Sequence, residues 1–98
     1  DNIYPGLYAP ALHVRGVELA VRVGTPGEDA NERLVAVVQP QRGADEPALR
    51  AALSAPVSRM GTARPDEVLL ARIPLSGRSR KPDRAATAAL AARRLGRT

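Results

Sequence analysis

At 98 residues, with no Cys, Phe or Trp and a formal net charge of +5, the chain is sized for one domain of modest stability. The lack of cysteine excludes a disulfide framework, a thiolate metal site and a cysteine nucleophile, and it fits a cytoplasmic protein. No apolar run approaches the roughly 18 residues of a membrane span, no signal-peptide order stands at the N-terminus, and the positive balance points to an anionic partner such as nucleic acid, nucleotide or membrane surface.

Tyr4, Leu7, Tyr8, Ala11 and Leu12 recur on one helical face, which predicts a first amphipathic helix. Pro5 suits its first turn. Pro10 kinks it or opens it late, because an interior proline costs about 3 kcal/mol. Val17, Leu19, Val21 and Val23 alternate with Glu18, Ala20 and Arg22, the pattern of a half-buried strand. Residues 24–31 are turn-rich and polar. A second strand follows over 33–39, pairing with the first as an antiparallel hairpin. Its nearly continuous Leu34, Val35, Val37 and Val38 predict cover on both faces.

Asp45 reads as the N-cap of a helix with Leu49, Ala52 and Leu53 on one side. Pro56 ends that helix, or Val57 and Met60 carry its apolar face through one extra turn. A third strand is expected over 67–73, closed by Pro74, and 75–80 is a cationic loop. Pro82 and Asp83 open a last helix to Leu95, rich in alanine and strong in propensity. Arg93, Arg94 and Arg97 lie near its C-terminal end, where the helix dipole favours cations. The expected class is α+β, a small sheet of a hairpin plus a third strand packed with about three helices.

Lys81 is the one lysine among the 15 Lys and Arg residues. It ends the segment Gly77-Arg78-Ser79-Arg80-Lys81, a loop just before a helix. A lysine there is a point charge with three donors and a long reach. It suits the neutralisation of two anions that must approach each other, which is electrostatic catalysis. Read from these residues alone, the segment is sooner a solvated basic loop or a weak nucleic-acid patch. Nucleic acid is the poorer partner for it. Single-strand binders interleave aromatics with their cations, and the two tyrosines, Tyr4 and Tyr8, lie far off in sequence. His13, the one histidine, lacks a serine–histidine–carboxylate setting. Glu28, Asp29 and Glu32 lack calcium-loop spacing and read as solvated turn residues.

Pro74-Leu75-Ser76 after a strand, followed by the loop and Lys81-Pro82-Asp83-Arg84 before a helix, resembles the last signature motif of the adenylate-forming ligases. These include acyl- and aryl-CoA synthetases, peptide-synthetase adenylation domains and luciferase, and the usual form is Leu-Pro-x-Thr-x-x-Gly-Lys-x-x-Arg. Asp1-Asn2-Ile3-Tyr4-Pro5-Gly6 is similar to the Glu-Asn-Ile-Tyr-Pro segment that opens the C-terminal domain of many acyl-CoA synthetases. The stretches 16–21 and 32–38 resemble the strands between. Departures are present. The loop from Pro74 to Lys81 is one residue longer than usual, Arg80 replaces the glycine before the lysine, and Ser76 stands for threonine. Leu7 and Ala9 replace acidic residues.

The resemblance implies that residues 1–98 are a single, mobile C-terminal domain cut from a longer polypeptide, its large N-terminal ATP-binding domain lying outside this sequence. The opening on Asp1 agrees with that expectation, and a chain this short has little room to enclose ATP, an acyl chain and a thiol together. Lys81 would bridge a carboxylic-acid substrate and ATP during acyl-adenylate formation. The domain would then rotate, and Asp1 and Asn2 would line the passage for the thiol of coenzyme A or of a carrier protein's phosphopantetheine. Read locally, those two are polar residues at a chain end. No metal site is expected in this chain, magnesium arriving with ATP on the larger domain. Two rival readings stand beside this one: a stand-alone basic module binding nucleic acid or an acidic partner, and an inactive docking domain of the same fold.

Overall fold

The computed structural model describes residues 12–26 and 32–96. The first expected helix, except for Leu12, and most of the first turn lie outside these. The described elements run β1 (Val17–Pro26), β2 (Glu32–Pro40), α1 (Glu46–Ser58), a single 3-10 turn (Gly61–Ala63), β3 (Glu67–Leu70) and α2 (Arg84–Arg94). β2 is the central strand, antiparallel to β1 and parallel to β3. This is an α+β domain with a three-stranded mixed sheet.

The valine-rich run of β2 is covered on both faces, as its composition demands. Val35 and Val37 point into a cluster with Val21, Val23, Leu69, Ile73 and Ala91 of α2. Ala36 and Val38 point into the opposite cluster, which holds Leu49 and Leu53 of α1. All four β2 residues are 0% exposed. Each of the three valines contributes roughly 1.5–3 kcal/mol by leaving water. The sheet is therefore the middle of three layers, with α1 on one face and α2 on the other.

Strict alternation placed Val17 with Leu19, Val21 and Val23, and the structure corrects this. The register slips between Val17, opposite Pro40, and Leu19, opposite Gln39. Glu18 is thus an extra residue, and a bulge reverses the parity of everything before it. Val17 consequently packs with Ala20 on the α1 face, while Leu19, Val21 and Val23 lie on the α2 face.

Three boundaries are also decided by the structure. Gly24, Thr25 and Pro26 belong to β1 rather than to a turn, because they continue the ladder opposite Leu34, Arg33 and Glu32. Pro56 lies inside α1, so of the two endings the sequence offered the structure takes the extra turn. Its missing N–H leaves the Ala52 carbonyl unbonded, but Ala52 is exposed and water serves that group. That exposure is also a correction, since Ala52 was expected on the buried side. Leu49 and Leu53 are buried, and Val57 and Met60 extend the same apolar row, which holds the last turn in place. β3 ends at Leu70, not residue 73. The Ala71 N–H donates to the Val38 carbonyl (3.0 Å). Two residues along β2 the next donor toward β3 would be Pro40, which has no N–H.

Candidate functional site

After β3 the chain turns back on itself in a short hairpin that carries Lys81. Leu75 and Pro82 form an isolated antiparallel bridge. The Asp83 N–H donates to the Pro74 carbonyl (2.9 Å) and the Ser76 N–H to the Lys81 carbonyl (2.8 Å). The tip, residues 77–80, is closed by the Arg80 N–H donating to the Ser76 carbonyl (3.1 Å) and by a hydroxyl–hydroxyl hydrogen bond between Ser76 and Ser79. The tip ends on a left-handed residue. Here that residue is Arg80, at φ +59°, the one described non-glycine with positive φ. The glycine usual in the resembling motif is suited to this backbone, and arginine adopts it at a cost.

The far side of the hairpin is fixed by α2. Asp83 is its N-cap, and its Oδ1 accepts from the Ala86 N–H (3.0 Å). The Asp83 carbonyl accepts from both the N–H (2.9 Å) and the hydroxyl (2.7 Å) of Thr87. Thr87 is fully buried. Pro82 is buried, Lys81 half-buried, and Arg78, Ser79 and Arg80 exposed. The backbone under Lys81 is thus held at both neighbours while the tip stays in solvent.

The local charge is strongly positive. Arg78, Arg80, Lys81 and Arg84 fall within seven consecutive residues of the sequence. The one carboxylate among them, Asp83, is committed to capping α2. The partial positive charge at a helix N-terminus adds to that field. Such a site attracts anions. Two grooves border α1, one of about 220 Å³ between Leu53, Val57 and Val68 and one of about 420 Å³ between Gly16, Ala48 and Leu49. Lys81 lines neither.

Of the other candidates, Asp1, Asn2, Tyr4, Glu28 and Asp29 lie outside the described residues. His13 is exposed, its Nε2 lying 3.3 Å from the Glu18 carbonyl, as a surface histidine would. Glu32 is exposed. Among the described residues no group of three His, Cys, Asp or Glu is arranged to hold a metal, and no helix is long and apolar enough to cross a membrane. Sequence reasoning missed Glu18 and Gln39. Gln39 donates from Nε2 to Glu18 Oε1 (3.1 Å) and accepts the Ile73 N–H at Oε1 (2.7 Å). The signal available was a lone amide ending the apolar run of β2.

No family model and no curated protein matches the sequence. Solved structures do match the fold. An acyl-CoA synthetase from Brucella canis superposes with a TM-score of 0.67 at 23% identity, over 88% of this chain and 17% of that enzyme. A fatty acyl CoA synthetase of Mycobacterium tuberculosis gives 0.59 at 20% identity, over 82% and 16%. The amide bond synthetase McbA from Marinactinospora thermotolerans gives 0.60 at 27% identity, over 82% and 16%. The chain thus spans about one sixth of the length of the enzymes it matches. Matched over most of its length by three separate synthetases, this chain has the adenylate-forming ligase fold.

Proposed function

We propose that this chain is the mobile C-terminal domain of an ATP-dependent acyl- or aryl-CoA ligase, and that Lys81 supplies the charge for its first half-reaction. The observation that carries the reading is the hairpin itself. A lone lysine stands on a loop braced at both ends, ahead of α2, in a fold shared with acyl-CoA synthetases.

The chemistry follows from the charges. A carboxylate oxygen attacks the α-phosphorus of ATP, the bond to pyrophosphate breaks, and the acyl-adenylate forms. Two anions approach in that step, and an ammonium between them lowers the repulsion and offsets charge developing on the phosphoryl oxygens. Lysine serves better than arginine here, because its compact charge on a flexible stem fits between two groups whose separation changes. Rotation of the domain then withdraws Lys81 and opens the second step. A thiolate from coenzyme A or a carrier-bound phosphopantetheine attacks the acyl carbonyl, and AMP leaves. The nucleotide, its magnesium and the acyl pocket belong to a larger domain on the same polypeptide. The reading places the enzyme in the cytoplasm, where a cysteine-free chain has no need of an oxidising compartment.

In the full-length protein, Lys81→Ala is expected to lower carboxylate-dependent pyrophosphate exchange by about 10²–10³-fold, the range for removing one strong electrostatic donor. Conversion of a supplied acyl-adenylate to thioester is expected to survive. Equal loss in both half-reactions would refute the assignment.

A further inference from the structure

The residue before the Lys81 hairpin is tied to the sheet by one side chain. With Pro40 unable to donate, the backbone ladder between β2 and β3 stops after the bond from Ala71 to Val38. Ile73, buried and adjacent to Pro74, lies one step past that last bond, and its N–H goes to a side chain rather than to the Pro40 carbonyl that a continued ladder would offer. Gln39 Oε1 takes that N–H at 2.7 Å. The side-chain amide therefore extends the ladder by one step, to the residue before the hairpin closes.

An amide alone is a poor anchor, because it can turn over and present NH2 instead of oxygen. Glu18 prevents this. Its Oε1 accepts from Gln39 Nε2 at 3.1 Å, so the amide nitrogen is held toward β1 and the oxygen toward Ile73. Glu18 reaches this position because it is the extra residue of the β1 bulge, opposed by nothing in the ladder. Bulges re-aim a side chain in this way. The other end of β3 is tied by Asp66, whose N–H donates to the Leu34 carbonyl (2.7 Å) and whose Oδ2 accepts the Leu34 N–H (2.8 Å).

From this geometry we infer that Glu18 and Gln39 are positioning residues for the Lys81 hairpin, a relay from carboxylate to amide to the Ile73 N–H that sets where the hairpin leaves the sheet. The inference rests on the reading that Lys81 serves adenylation. Misplacement of a reacting group by about 1 Å costs up to 10²-fold in rate, and a loosened root shifts the hairpin by a fraction of that distance.

The polarity of the relay supplies its test in the full-length protein. Gln39→Glu still accepts the Ile73 N–H but sets two carboxylates against each other. Its adenylation kcat is expected to fall about tenfold, with KM for ATP unchanged and conversion of supplied acyl-adenylate within twofold. Adding Glu18→Gln restores donor and acceptor in reversed order, and the double variant is expected to recover to within threefold of the parent. Failure of the swap to rescue, or equal loss in both half-reactions, overturns the inference. If Gln39→Glu does not fold, Glu18→Ala takes its place, with about a threefold loss confined to adenylation; no loss there overturns it equally. Lys81→Ala run in parallel separates the two claims. A harmless Lys81→Ala sinks the functional reading, whereas a damaging one beside an unrescued swap sinks the relay alone.

Discussion

Arg80 allows the backbone and charge contributions of the hairpin to be separated. At φ +59° its Cβ crowds the following carbonyl oxygen, which costs about 1–2 kcal/mol. Arg80→Gly removes that strain but adds freedom to the unfolded chain, worth about 0.4–1 kcal/mol in the opposite direction. The net gain lies between about 0 and 1.6 kcal/mol, with a central value of about 0.8 kcal/mol. For a domain of this size each kcal/mol moves the midpoint by about 4–8 °C, so at the central value Tm is expected to rise by about 3–6 °C. The same substitution deletes one of four clustered cations, and that alone relieves repulsion. Arg80→Ala is the control, because it deletes the charge and keeps the Cβ. Thermal melts of parent, alanine and glycine variants are compared at low salt and near 1 M salt, where the Debye length falls to about 3 Å. The glycine variant should exceed the alanine variant by the same margin at both. If alanine stabilises as much as glycine at both salt concentrations, charge and not backbone governs position 80, and the strain argument is refuted.

Asp83→Ala removes the α2 cap and is expected to destabilise by about 0.5–2 kcal/mol in urea melts, with Asp83→Asn retaining most of the stability. Leu53→Ala empties a site that is 2% exposed and should cost about 2–5 kcal/mol, a large part of the total for a domain this small. Leu75→Ala, at a position 42% exposed, should stay within about 0.5 kcal/mol of the parent.

What was legible in advance was local. Asp45 and Asp83 both cap their helices as read, through bonds to the N–H three residues on, because a cap is an interaction between near neighbours. The double cover of β2 followed from its unbroken apolar run. At Pro56 the sequence left two outcomes open, and the structure takes the extra turn, with Val57 and Met60 packed along the row of Leu49 and Leu53. The Lys81 segment was picked out by residue type and motif likeness, while the left-handed backbone at Arg80 became visible only with the turn in place.

The order of elements, the caps, the two-faced central strand and the lysine before the last helix were set by composition and short-range spacing, where each residue's preference acts on chain neighbours. The parity of β1, the early end of β3 and the Glu18–Gln39–Ile73 relay were decided by the assembled sheet. Each depends on which group lies opposite, at sequence separations of 21 and 34 for the relay, and hydrogen-bond pairing at that range is a property of the packed strands rather than of any one segment.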